Sequence, residues 1–328
     1  MNIGKVSETV LKRSILKQIK HRREEVLVGP GVGEDCSVVE FKKDEVFVIS
    51  TDPITGTTEN IGTFAVHITA NDISSNGAEI VGIMLTVLLP DGYRESDLKE
   101  MMKEIETVCE SLNIEIMGGH TEITAAVNQP IITVTGVGKM LKKNLIKTAG
   151  VIPGQEIVMT KWAGLEGTAI IAGNKENELL SKYTRDFITG AKDFIQYISV
   201  VAEAKIAGTM GATSMHDVTE GGIFGALWEL GEASGVGIEV ELKKIPIKQE
   251  TVEICEFYDL NPYQLISSGV MLMVADRANE LVEVLKKNNI PAAIIGRVTA
   301  GNDRVVLNED EKRFLAPPKS DELYKVNI

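Results

Sequence analysis

With 328 residues, 44% of them hydrophobic and 25% charged, the chain has the make-up of a globular protein long enough for two domains. Its formal net charge of −13 excludes a nucleic-acid partner that demands a broad basic surface, but not polyphosphates, whose charge magnesium neutralises. The longest apolar run, residues 80–89, is too short to span a bilayer, so no membrane partner is expected and the expected location is cytoplasmic. Cys36, Cys109 and Cys255 are far apart in sequence and support neither a disulfide framework nor a zinc site.

In chain order, residues 7–20 read as a helix, with Val10, Leu11, Ile15, Leu16 and Ile19 at helical spacing and Ser7 as its cap. The basic run Lys20-His21-Arg22-Arg23 is offset by Glu24 and Glu25 and reads as a solvated face. Next comes Val28-Gly29-Pro30-Gly31-Val32-Gly33-Glu34-Asp35, whose backbone N–H groups suit phosphate oxygens; the same residues also build ordinary turns. Residues 46–50 form a strand that Thr51-Asp52-Pro53 ends, with Asp52 either lining a cleft or sitting in a plain turn. Residues 61–74 form a helix with Ile61, Phe64, Ala65, Ile68 and Ile73 on its apolar face and His67 and Thr69 off it. Asn71 and Asp72 fall in its last turns, where the negative end of the helix dipole disfavours a carboxylate unless a cation compensates. That mismatch makes residues 71–78 the centre of a candidate site.

The near-continuous apolar run 80–89 is a buried strand. Residues 96–112 make the clearest helix, with Leu98, Met101, Met102, Ile105, Val108, Cys109 and Leu112 in its core stripe. Strands follow at 114–117 and 131–137. Between them, Gly118-Gly119-His120-Thr121-Glu122 reads as the wall of a site, with His120 or Thr121 contacting a phosphate or a base; a lone histidine is more often structural. The order β-α-β-α-β-β indicates an α/β or α+β sandwich. Punctuation at 149–154 divides the chain into domains 1–149 and 150–328.

The second half opens with a strand at 156–160 and a glycine-rich turn into a helix at 162–169, a second candidate ligand loop. A helical region runs to about 210. His216-Asp217-Val218-Thr219-Glu220-Gly221-Gly222 then leads into a helix over 223–233, which Thr219 would cap while the N–H groups of Gly221 and Gly222 face an anion. A strand at 270–274, a helix at 277–287 and a strand at 292–295 follow. Walker, dinucleotide-fold, kinase, zincin and nucleophile-elbow signatures are all absent. Spread aspartates with glycine loops suit magnesium held by Asp and phosphate oxygens, stabilising charge on a transferring phosphoryl group.

Gly-Glu-Asp at 33–35, Ser-Thr-Asp at 50–52, the run 71–78, Gly-Gly-His-Thr at 118–121 and Asp-Val-Thr-Glu-Gly-Gly at 217–222 together resemble one superfamily. It comprises aminoimidazole-ribonucleotide (AIR) synthetase (PurM), selenophosphate synthetase, thiamine-monophosphate kinase and the hydrogenase-maturation protein HypE. The likeness to HypE-related proteins is strengthened by Gly4-Lys5-Val6, residues 233–238 and Asn261-Pro262-Tyr263. It implies a two-domain PurM-like fold, with a ferredoxin-like N-terminal dimerisation domain and a C-terminal α/β sandwich. It also implies a homodimer binding ATP and Mg2+, and possible work with another maturation protein. Asp72 and Asp217 would be catalytic, and Asp35, Asp52, Asp72 and Asp217 would hold the metal. Lys5, Gly33, Asp35, Asp52, Asn71, Gly119, His120, Thr121, Thr219, Gly221 and Gly222 would contact the nucleotide, with the 164–167 loop bordering the acceptor site. The acceptor would be a small molecule or a protein tail. HypE ends in a reactive cysteine, whereas no cysteine follows Cys255 here, and Glu220 stands where an arginine is usual. A small-molecule kinase and a non-catalytic nucleotide-binding scaffold are the alternatives.

Overall fold

The computed structural model describes residues 4–5, 10–30, 38–55 and 57–326. The chain divides into two compact units, Met1–Ile73 with Ala78–Asn144, and Ser74–Gly77 with Leu145–Ile328. Both are mixed α/β. Among the described residues no helix is long and apolar enough to cross a membrane.

The first unit holds β1 (Gly4–Lys5), β2 (Val26–Val28), β3 (Val38–Val39), β4 (Glu45–Ile54), α1 (Ile61–Ser75), β5 (Glu79–Leu89), α2 (Glu95–Leu112), β6 (Glu115–Ile123) and β7 (Ile131–Leu141). Its main sheet has the order β1-β6-β5-β7-β4, with β5 and β6 parallel and the other pairs antiparallel. Helix α1 rests on this sheet where β7 has no side chains: a Cβ at Gly136 would lie 2.5 Å from Thr69 Cγ2, and one at Gly138 2.4 Å from Ile73 Cγ2. Thr69 is therefore fully buried, contrary to its placement off the apolar face, and its hydroxyl is satisfied by Ala65 O at 3.1 Å. Cys109 is buried in the α2 stripe, as expected.

Two local expectations change. Pro53 does not end β4, which runs on to Ile54; among the described residues β4 lies at the sheet edge and pairs only with β7, and an edge is where a missing N–H is tolerated. Residues 118–122 are not a connection, because they lie within β6, paired in parallel with β5. Gly119 has φ +150°, and a Cβ there would sit 2.1 Å from Leu85 O, so the glycine serves close strand approach at a shift in register. Gly119→Ala is expected to destabilise the first unit by about 2 kcal/mol or more in urea unfolding. Gly92→Ala, at φ +77° with open space around it, carries strain without the clash and is expected to cost less. Equal losses would remove the close-approach explanation. Of the helix expected over 7–20, a π-type turn at Leu11–Leu16 is observed, and Ser7 lies outside the described residues.

The second unit contains β8 (Glu156–Thr160), α3 (Leu165–Asn174), α4 (Glu176–Leu179), α5 (Arg185–Lys192), α6 (Val201–Met210), β9 (Ser214–Val218), α7 (Gly222–Ser234), β10 (Gly237–Glu241), α8 (Gln249–Phe257), β11 (Val270–Ala275), α9 (Ala278–Lys287), β12 (Ala292–Thr299), β13 (Arg304–Asn308) and β14 (Glu311–Phe314). These strands form a sheet of order β14-β13-β10-β12-β8-β11-β9. All six residues of β11 are buried: Val270, Leu272 and Val274 pack with α7, and Met271, Met273 and Ala275 pack with α6 and α9. Cover on both faces explains its unbroken apolar run.

Candidate functional site

In the first unit, Ser50 and Asp52 are two residues apart on β4 and so share a face, the one covered by α1. Asp72 comes from the C-terminal half of α1. Ser50 Oγ donates to Asp72 Oδ2 at 2.5 Å and lies 3.3 Å from Asp52 Oδ2. One hydroxyl thus links two half-buried carboxylates in a strand and a helix that are distant in sequence. Asn71, beside Asp72, is 1% exposed. The opposite face of β4 carries Thr51, whose hydroxyl meets that of Thr135 on β7 at 2.9 Å.

Other expected residues have mixed settings. His120 is exposed and its Nε2 lies 3.1 Å from Glu122 Oε2, while Thr121 is buried. Gly33 and Asp35 lie outside the described residues, and for Lys5 only the backbone pairing with Glu122 is described. Among the described residues, no three His, Cys, Asp or Glu side chains form a cage for a metal. The donor set around Ser50 nevertheless fits magnesium, a hard cation that takes one or two carboxylates and fills its remaining positions with water and phosphate oxygens.

Asp217 belongs to the second unit, where it is 8% exposed on β9 opposite Met271. Its neighbour His216 points to the other side of the strand, with Nε2 2.9 Å from Glu229 Oε2 on α7. Thr219 does not cap α7. The cap position is Gly221, with no side-chain cap bond, and its N–H donates to Asp321 Oδ2 at 2.7 Å. The Gly222 N–H donates to Thr219 O at 3.1 Å. The two amides expected to face a ligand anion are thus engaged within the chain. Gly222 is sterically required, since a Cβ there would come within 2.7 Å of the carbonyls of Tyr263 and Leu265, and Gly221 has a φ of +82° that favours glycine.

The 164–167 turn is also packed, not open. Gly164 N donates to Ser267 Oγ at 2.7 Å, and a Cβ at Gly167 would meet Leu265 at 2.4 Å. Glu166 is buried, accepts from Ser268 N at 3.2 Å, and is pushed up to about 7, chiefly by burial and further by Asp321 and Glu220. Nearby on the same strand-to-helix connection, Lys161 Nζ donates to Tyr197 O, Ser199 O and Gly269 O at 2.9, 2.6 and 2.9 Å and pairs with Glu203. Ser50, Lys161, Glu166 and Asp321 carry roles that the sequence reading did not assign. For Ser50 the signal was present, since alternation on a strand puts it on the face of Asp52.

Family models described as AIR synthase related protein match this chain, the N-terminal domain model over residues 33–140 and the C-terminal domain model over 153–308. A hydrogenase expression/formation protein of Methanocaldococcus jannaschii is 28% identical over 316 residues, covering 93% of this chain and 91% of that relative. The carbamoyl dehydratase HypE of Rhizobium leguminosarum bv. viciae is 25% identical over 253 residues, covering 75% of this chain and 70% of its own length. The solved structure of hydrogenase maturation protein HypE in complex with ATP is similar with a TM-score of 0.81 at 20% identity, covering 98% of this chain and 97% of that one. The two-domain PurM-like fold is the one expected from the sequence.

Proposed function

The chain belongs to the AIR synthase related protein family, and on that premise we propose that it binds ATP with magnesium and activates an acceptor oxygen by phosphorylation. The observation that carries this reading is the linkage of Asp52 and Asp72 through the Ser50 hydroxyl. The ATP complex of a structural neighbour supports it as well.

In this reading Asp52 and Asp72 hold magnesium within the first unit, the metal-holding role that the family resemblance also gives to Asp35 and Asp217. Asn71 and His120 contact the nucleotide, joined by Lys5, Gly33, Gly119 and Thr121 in the roles the family resemblance implies, while the Gly221 and Gly222 amides are already engaged within the second unit. Magnesium supplies positive charge at the phosphate oxygens when bound. The Ser50 hydroxyl, by donating to Asp72, orients its carboxylate. The names of the relatives support work in metalloenzyme maturation, with a partner protein or a small molecule as acceptor. Calorimetric titration of ATP with and without magnesium tests the reading: the expected result is binding that needs the metal. Absence of binding in both conditions would overturn it.

We infer that the working form is a homodimer joined through the first unit. The sheet face turned away from α1 exposes Phe47 and Ile49 at 61% and 64%, with Met84 on the same side, and such apolar exposure is costly in water. Ile49→Glu is expected to halve the mass seen by sedimentation equilibrium. A variant that stays at the wild-type mass would exclude this face as the contact.

A further inference from the structure

The C-terminal segment of the second unit is fastened to the glycine turn ahead of α7 by an unusual density of polar contacts. Asp321 Oδ2 accepts from Gly221 N at 2.7 Å, and its Oδ1 accepts from Leu323 N at 2.8 Å and Ile266 N at 3.1 Å. Three backbone N–H groups thus surround one carboxylate, the arrangement that otherwise receives an anionic ligand. Next to it Glu322 Oε2 accepts from Asn261 N at 2.9 Å, and Tyr324 OH donates to Glu220 Oε1 at 2.6 Å. Pro318 lies against the turn, its Cβ 3.0 and 3.3 Å from where side chains at Gly221 and Gly225 would begin. Leu323 and Val326 are each 5% exposed.

Beneath this segment sits Glu166, and the charged groups acting on it, Asp321 from the segment and Glu220 from the turn, have its own sign. From the third side the Ser268 loop offers only hydrogen bonds. Among the described residues no lysine or arginine is ion-paired with any of these three acids, since Lys325 pairs with Glu322. We propose that residues 318–326 form a detachable strap whose anchor, Asp321, sits in the amide pocket of Gly221, Ile266 and Leu323, and that ionisation of Glu166 releases it.

The physical reason is the cost of a second buried negative charge. While Glu166 is protonated, the three N–H donors around Asp321 hold its charge against the burial that pushes its own pKa up. When Glu166 loses its proton to solvent, a second buried negative charge acts on that of Asp321 with no cation to offset it. Lifting the strap removes Asp321 and admits water. Burial chiefly, with Asp321 of the strap and Glu220 adding to it, holds Glu166 at about 7 against an ordinary value of 4.5. Seating therefore weakens as pH rises toward 7, to the extent that lifting the strap lowers the Glu166 pKa, and levels off above it.

Hydrogen–deuterium exchange of the whole protein between about pH 5.5 and 8, corrected for intrinsic rates, reads this out at the amides of Leu323, Tyr324 and Val326. Wild-type protection is expected to fall by about threefold or more across the range. Glu166→Gln, a neutral isostere, is expected to keep the strap protected with a flat profile. Asp321→Ala is expected to lose strap protection at every pH while β11 amides stay protected, which shows that the unit remains folded. Glu220→Gln removes one like charge while keeping an acceptor for Tyr324, and is expected to give a shallower slope. A flat wild-type profile, or an unchanged slope in both glutamine variants, would overturn the proposal.

Discussion

Asp72→Ala is expected to abolish the magnesium-dependent part of ATP binding, weakening affinity by at least about tenfold. The size follows from the loss of a charged ligand, worth about 1.5–3 kcal/mol when its partner is a cation or a charge-assisted donor. Asp72 stands out because α1 places it near a helix C-terminus, where the dipole adds no stabilisation to a carboxylate, and the Ser50 hydroxyl donates to it there. A companion Ser50→Ala variant separates charge from orientation. It keeps both carboxylates but frees the rotamer of Asp72, and an outer partner of this kind typically changes metal affinity by about 10–100-fold. Asp72→Asn keeps an acceptor for Ser50 and loses the charge, so it is expected to resemble Asp72→Ala. Calorimetry on all three, each with and without magnesium, decides the matter. If Asp72→Asn binds MgATP like wild type, the carboxylate is not a metal ligand and its bond to Ser50 is purely structural.

Lys161→Met is expected to be the most destabilising single substitution outside the apolar core. The Lys161 ammonium is 6% exposed and lies among three backbone carbonyls and the Glu203 carboxylate, itself 2% exposed. Burial alone pulls the Lys161 pKa down, with Glu203 acting in the opposite direction. Removing the ammonium leaves Glu203 buried without its counter-charge, a change that costs about 3–5 kcal/mol. For a protein of this size the corresponding loss in Tm is on the order of 10 °C. Combining Lys161→Met with Glu203→Gln removes both charges and is expected to restore part of the stability. A double variant no better than the single one would mean that the carbonyl contacts, and not the buried charge pair, carry the effect. Lys161 also joins segments far apart in sequence, reaching from the end of β8 to the start of β11 and to residues 197–199, so local unfolding around β8 is expected to accompany the loss.

Much of the scaffold is legible from local pattern. The stripe from Leu98 to Leu112 predicts α2 to within a residue at its start, because burial on one helix face repeats every 3.6 residues whatever the partner is. The apolar run at 80–89 predicts β5 for a similar reason. The ordered motifs also point to the right family, since their residue types and order survive without any knowledge of contacts. Strand-interior glycines were not legible. In Gly118-Gly119-His120 they look like a loop, yet Gly119 is required by the carbonyl of Leu85 on a neighbouring strand. Pro53 likewise looks like a strand end, and only the edge position of β4 lets the strand continue through it.

The sequence by itself determined the two-part α/β organisation, the family and the identity of the acidic motifs, because these rest on periodicity and on residue types close together in the chain. The tertiary structure alone decided what those motifs touch. It brought Ser50 to Asp72, and it filled the Gly221 amide with Asp321, 100 residues away. It also buried Lys161 against Glu203. Such pairings are set by how strands and helices close on one another, and a carboxylate's partner is whichever donor that closure delivers, which no local spacing records.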